Sequence, residues 1–320
     1  MVEWKRYGLE GPVFFLRREL DPAEADHSKR LVRVDGISTV KEVEEYLKAQ
    51  VAAKSPCFVL VTGERGSGRS SVANYVLDRY RELRGINRDK FLWVRSRIVQ
   101  NDDPLPTYQH WAGFLVQVLE DANLLQAETV EDFRAFSERE LPPTNFVPAF
   151  QRSVTKLDRA MAPLDAALAV RVEDVPNYET LRVAFDIFDK AQTIVVFTAL
   201  DTIDTRTQIV ANFEKRTVPA VRQIIPLSTL EWQEVGVLID ALWRGRGAGP
   251  LPFEFVDPPP ENFRQPRRTL ARTLDLFDEL LRLKLIHVDG NDAHPTEPRL
   301  HYSAVQLFES LQALERTRGI

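Results

Sequence analysis

The chain has 320 residues, 44% of them hydrophobic and 28% charged, and a formal net charge of −5. These values allow one large domain or two ordinary ones and exclude wholesale disorder. A single cysteine, Cys57, excludes an intramolecular disulfide and a cysteine-based zinc cluster, and the slight acidity argues against a surface devoted to nucleic acid. The five histidines are scattered, so a histidine metal site is not expected. No apolar run reaches about 18 residues, and the opening Met1-Val2-Glu3-Trp4-Lys5-Arg6 resembles no signal peptide. The expected location is cytoplasmic. Of the 42 basic residues, 32 are arginine and 10 lysine, so arginine is used wherever a cation is wanted.

In chain order, Gly8-Leu9-Glu10-Gly11-Pro12 reads as a turn. Residues 38–53 read as a helix, with Ser38 as its cap and Val40, Val43, Tyr46, Leu47 and Val51 at helical spacing. Residues 57–62, Cys-Phe-Val-Leu-Val-Thr, form a continuous apolar run of strand length, which suits a parallel strand covered on both faces. A glycine-rich turn leads into a helix predicted over 70–84. Strands are predicted at 91–94, 166–172, 193–198 and 221–225, and helices at 108–123, 178–190 and 208–216. Residues 126–162 read as inserted helices broken at Pro142-Pro143 and Pro163. After Pro226 the pattern becomes helical, with helices predicted at 230–243, 269–285 and 303–316 around a loop rich in glycine and proline at 245–266.

Strands alternating with helices predict an α/β fold with a parallel sheet and right-handed crossovers. The expected division is an α/β core over 1–226, with inserted helices at 126–162, followed by an all-helical module over 227–320.

The chemistry is concentrated in the turn after the first strand, Gly63-Glu64-Arg65-Gly66-Ser67-Gly68-Arg69-Ser70, with Ser71 next. It fits the phosphate-loop pattern G-x-x-x-x-G-K-[ST] between strand and helix, except that Arg69 replaces lysine. Glycines at 63, 66 and 68 allow backbone angles that turn successive N–H groups toward one point. The following helix adds its partial positive charge there. Ser70 offers a hydroxyl to Mg²⁺, and the cation at 69 would reach the β- and γ-phosphates of a nucleotide. Arginine is planar and bulkier than lysine, so Arg69 reads either as a tolerated substitute or as a sign of lost hydrolysis.

A nucleotide-hydrolysing site of this type also needs a carboxylate at a neighbouring strand tip. The third strand supplies Glu173-Asp174: Glu173 as the metal ligand, Asp174 as the water-activating base, or both as a solvated acidic strand end. Arg171 lies within the same strand and either pairs with Glu173 or marks a sheet edge. Thr198 closes the fourth strand, where a polar group would touch phosphate or water. Arg267 and Arg268 open a helix of the C-terminal module and read either as phosphate-reaching lid residues or as solvated charges.

Taken together, Gly63 to Ser70, Glu173-Asp174, Thr198 and the stretch Ile225-Pro226-Leu227-Ser228-Thr229-Leu230-Glu231 resemble AAA+ and STAND-type P-loop ATPases. The opening Trp4-Lys5-Arg6-Tyr7-Gly8-Leu9 is similar to the start of transposition-regulator and secretion ATPases. The resemblance implies an ATP/ADP-binding switch with a C-terminal helical lid, often oligomeric. Under it, residues 63–71 bind phosphate, Ser70 and Glu173 hold Mg²⁺, and Asp174 is the base. Thr198 is the first sensor, and Arg267 or Arg268 the second. Asn212 stands where an arginine finger is expected, with Arg206 and Arg216 nearby.

Three functions are compatible with these residues. One is a regulatory or assembly switch acting on a protein partner, through self-association or within a larger complex. Another is a catalytically degenerate scaffold subunit. The least favoured is a DNA-associated transposition or replication ATPase, since 286–320 is short and has few contiguous basic residues.

Overall fold

A computed structural model of the chain describes residues 19–22, 24, 27, 38–97, 104–123, 127–138, 143–175, 177–203, 205–216, 222–228, 230, 232–245, 269–275 and 277–278. The expected turn at 8–12, the motif at 4–9, the loop at 246–266, Arg267, Arg268 and the helix at 303–316 lie outside these residues.

The α/β core runs α1 (Ser38–Ala53), β1 (Cys57–Gly63), α2 (Arg69–Leu83), β2 (Phe91–Arg97) and α3 (Pro104–Ala122). The inserted helices α4 (Ala127–Glu138) and α5 (Pro143–Met161) follow. Then come β3 (Ala167–Glu173), α6 (Tyr178–Phe188), β4 (Ile194–Leu200), α7 (Ala211–Arg216) and β5 (Arg222–Leu227). The five strands form one sheet in the order β2-β3-β4-β1-β5, and every pairing is parallel. This is the parallel α/β sheet that the alternation of strands and helices predicts.

Alternation along β1 builds two cores. Phe58 and Leu60 face a large aromatic cluster, while Cys57, Val59 and Val61 face a smaller one made with α1 and α2. On the first face the Phe185 ring stands edge-on to Phe58 at 4.6 Å and to Phe197 at 6.0 Å. On the second face Tyr46 of α1 closes a reciprocal bond with β1. Its hydroxyl accepts from Phe58 N–H at 3.1 Å and donates to Phe58 carbonyl oxygen at 3.4 Å. Burial raises the Tyr46 hydroxyl's pKa and pushes the Cys57 thiol up to about 12, so Cys57 acts as a small hydrophobe.

The inserted helices carry their own aromatic knot. Phe150 meets Phe133 at 5.7 Å, Phe136 at 5.3 Å and Phe146 at 5.8 Å. Helix α5 begins at Pro143, where a missing N–H costs nothing, which explains the break expected there. Proline 148 lies inside α5 without ending it.

Several bounds differ from expectation. Strand β2 continues through Arg95-Ser96-Arg97, because these residues pair with Arg171, Val172 and Glu173 of β3. The expected strand stopped at the first charge, yet backbone pairing is indifferent to side-chain charge. Strand β4 ends at Leu200, so Thr198 lies inside the strand instead of closing it. The helix predicted over 208–216 is a π-helical turn, Thr205–Val210, running into α7. Arg171 does not mark an edge, since β3 lies between β2 and β4.

By its contacts the chain divides into two units. One holds Ser38–Glu64 and Arg69–Leu227. The other holds the phosphate-loop tip Arg65–Gly68 and the chain from Ser228 on, including α8 (Trp232–Arg244) and the helical residues 270–275, together with the N-terminal residues.

Candidate functional site

The glycine-rich turn leaves β1 at Gly63, whose carbonyl accepts Asp201 N–H at 3.0 Å. Gly66 and Gly68 have φ of 85° and 92°, the left-handed region open to glycine. Helix α2 starts at Arg69, so Ser70 and Ser71 occupy its first turn. Glu64 and Arg65 are exposed. Ser67 Oγ is buried and has no hydrogen-bond partner among the described residues. A buried donor without a partner beside two left-handed glycines fits an anion such as phosphate.

Within its own unit, the loop tip is tied to the helix that follows residue 269. Ala271 N–H donates to the Gly66 carbonyl at 2.8 Å. A Cβ at Gly66 would meet Ala271 Cβ at 3.0 Å, and one at Gly68 would meet Leu270 Cδ2 at 3.0 Å. Leu270 and Ala271 carry no sequence signal for this role, since their contribution is a backbone N–H and close packing.

In the core, the structure gathers the acidic pair with arginines. Arg69, 12% exposed, donates from Nη1 to Asp174 Oδ1 at 3.1 Å, and Asp174 is 66% exposed. Glu173 is buried at the end of β3, and its Oε1 accepts from Arg95 Nε at 2.6 Å and Arg171 Nη2 at 2.7 Å. Arg171 and Glu173 share a face because strand side chains alternate with period two. Arg171 is 0% exposed and is also bonded to Asn74 of α2 through Nη1 and Oδ1. Arg95 had no place in the sequence reading. The register that sets it opposite Arg171 is a tertiary fact.

Thr198, 2% exposed, accepts Asp174 N–H through Oγ1 at 3.1 Å, and its carbonyl accepts Val175 N–H at 2.8 Å. These bonds hold Asp174 at φ 48°, an unusual angle for a non-glycine residue. Thr198 therefore works here as an anchor for the β3 tip.

The end of β4 carries a second ion pair that sequence reasoning missed. Arg206 Nε and Nη2 donate to Asp201 Oδ1 and Oδ2 at 2.6 Å each, and these bonds hold the Asp201 carboxyl below its usual pKa. Asn212 donates from Nδ2 to Gln208 carbonyl oxygen at 2.6 Å, within its own helix. Glu24 and His27 stand at Glu-x-x-His spacing. His27 Nδ1 accepts Asp21 N–H at 3.0 Å, and its Nε2 lies 3.5 Å from Glu24 Oε2, so this pair closes a local turn.

The fold class implies nucleotide with magnesium, and the two parts fit differently. The loop fits phosphate, as above. The donors expected for magnesium are Ser70 and Glu173, and at Glu173 the fit fails. Magnesium requires near-ideal octahedral oxygen ligation, whereas Glu173 Oε1 already carries two guanidinium donors. Like unit charges about 4 Å apart repel by roughly 4 kcal/mol at an effective dielectric of about 20, and a dication doubles this. The buried Arg171 has no solvent to retreat into. Among the described residues no group of three or more His, Cys, Asp or Glu side chains converges on a point.

Comparison with known proteins agrees with this fold. The AAA ATPase domain family matches residues 38–212. Among solved structures the chain is similar to the ORC2 protein of Aeropyrum pernix in its ADP form. Identity is 12%, over 94% of this chain and 71% of that one, with a TM-score of 0.51. Weaker likenesses are to a chain of the E. coli MS115-1 HORMA:CdnC:Trip13 complex (11% identity, 96% and 97% covered, TM-score 0.40) and to C. elegans PCH-2 (12%, 89% and 73%, 0.36). No curated protein sequence matches. None of the described helices is long and apolar enough to cross a membrane. The family match spans more than half of the chain and begins at α1, ahead of the phosphate loop; this chain belongs to the AAA ATPase domain family.

Proposed function

We propose that this chain is a nucleotide-binding switch of the AAA+/STAND kind, whose ATP or ADP occupancy sets a surface for a protein partner. The observation that carries the reading is the conformation of the loop. In the chain, two left-handed glycines and a buried Ser67 hydroxyl with no partner among the described residues follow the fully buried β1 and precede α2. In this reading residues 63–71 hold the phosphates, and Arg69 exchanges Asp174 for a phosphate oxygen. The released Asp174, anchored by Thr198, is then the base for attacking water. Arg267 and Arg268 act from the helical module. The Gly66–Ala271 bond supports coupling of loop and module, because a change in one alters a hydrogen bond of the other.

The partner in this reading is a second protein, through self-association or a larger complex in the cytoplasm. A net charge of −5 supports a protein over nucleic acid. Calorimetric titration of the full chain with ATP and with ADP tests the reading. Saturable binding of either is expected, and no binding of both would overturn it.

One observation favours a second reading, a scaffold that binds nucleotide without turnover. Both expected catalytic carboxylates already face guanidinium groups, Glu173 with Arg95 and Arg171, and Asp174 with Arg69. Measured ATP turnover that Asp174→Ala abolishes would exclude the scaffold.

A further inference from the structure

Two ion-pair groups meet at consecutive residues at the end of β3: Arg95 and Arg171 on the buried Glu173, and Arg69 on the exposed Asp174. Of these five residues three are positive and two negative, so together they carry one excess positive charge. The most buried of them is a cation. Arg171 has zero exposure and is fixed on both sides, by Asn74 of α2 and by Glu173 of its own strand. Desolvation makes such a guanidinium dependent on its carboxylate, so Glu173 is not available to leave it. Arg95 adds a second donor to the same oxygen from the neighbouring strand. Arg69 stands at the lysine position of the phosphate-loop pattern, so this part of the charge group is covalently continuous with the loop.

A site built in this way repels a dication and attracts a polyphosphate anion. We propose that in this chain Arg69 and Arg95, with Arg171 neutralised by Glu173, supply positive charge that magnesium supplies elsewhere, so that the nucleotide is taken as the free di- or triphosphate anion and not as its magnesium complex. The proposal rests on the nucleotide-binding reading above and deepens it. Glu173 then serves as the counter-ion of Arg171, not as a metal ligand. Guanidinium suits this task, because its planar fork binds phosphate oxygens in pairs and stays charged at every working pH.

The test is calorimetric titration of the full chain with ATP and ADP, in excess EDTA and again in millimolar MgCl2. The expected result is an affinity in EDTA equal to that in magnesium within about threefold, or tighter. An affinity at least about tenfold tighter in magnesium would overturn the proposal and leave the nucleotide-binding reading standing. No binding under either condition would overturn both.

Arg95→Ala provides a second arm. Arg95 is 49% exposed and Glu173 keeps its bond to Arg171, so the variant is expected to fold, which a thermal melt checks. Its ratio of magnesium to EDTA affinity should shift toward magnesium by several-fold. A folded variant with an unchanged ratio would count against charge replacement by Arg95. Loss of the fold would make Arg95 structural and remove it from the proposal.

Discussion

The aromatic knot of α4 and α5 and the tip of β3 are both buried, but they are held by opposite means. In the knot, Phe133, Phe136, Phe146 and Phe150 exclude water and need only shape. At the strand tip, Arg171 and Glu173 are equally hidden, yet each depends on a partner of opposite charge. Apolar packing tolerates approximate replacement, because burial is non-directional. A buried ion pair tolerates loss of both members far better than loss of one.

The largest effects should come from one-sided damage. Phe150→Ala is expected to cost about 3–5 kcal/mol by opening a cavity, and Glu173→Ala about 3–5 kcal/mol by stranding Arg171. Urea denaturation measures both, and a loss under about 1 kcal/mol in either would remove that half of the contrast. Next come the paired replacements. Phe150→Leu should still be destabilised, because volume is lost, but by less than the alanine variant. Arg171→Met combined with Glu173→Leu should be close to neutral, or stabilising by up to about 1–4 kcal/mol. If the double variant is as damaged as Glu173→Ala, the charges do more than neutralise each other.

A smaller effect concerns the ligand. Arg69→Ala removes a charged donor from the phosphate loop and should weaken ATP binding by roughly tenfold, about 1.4 kcal/mol, with little change in stability, because its Asp174 partner is exposed. Equal affinity in wild type and variant would show that Arg69 does not reach phosphate.

The smallest effect belongs to the exposed pair Asp201–Arg206. Bonds from Arg206 hold the folded-state pKa of Asp201 below its ordinary value of 3.8. Its contribution is therefore fully present above the unfolded value and lost as pH falls through the folded one. Asp201→Asn should flatten the acid side of the stability profile slightly below about pH 4 and leave neutral pH almost unchanged. A loss at neutral pH as large as that of Glu173→Ala would show that burial is not what separates the two pairs.

Much of the core was legible in the chain alone. Continuous apolarity at 57–62 identifies a strand covered on both faces, and the glycines at 63, 66 and 68 identify the loop, because both signals are local. Charges within strands hid the rest. The run at 91–94 ended at Arg95, so β2 lost the residues that reach Glu173. Thr198 looked like a strand end because Ala199 and Leu200 carry no distinctive signal, while the backbone ladder runs on to Leu200 opposite Gly63.

By itself the sequence determined the parallel α/β core, the phosphate loop with arginine at its last turn, and the positions of Glu173 and Asp174. It could offer Glu173 as a metal ligand and Asp174 as a base, because a residue's chemistry is set by its type. What each carboxylate faces was decided only by the tertiary structure. Strand register brings Arg95 beside Glu173, helix packing brings Asn74 onto Arg171, and the turn after β3 brings Asp174 to Arg69. Those partners lie up to 105 residues apart in the chain, and a charge acts through distance in space, not along the sequence.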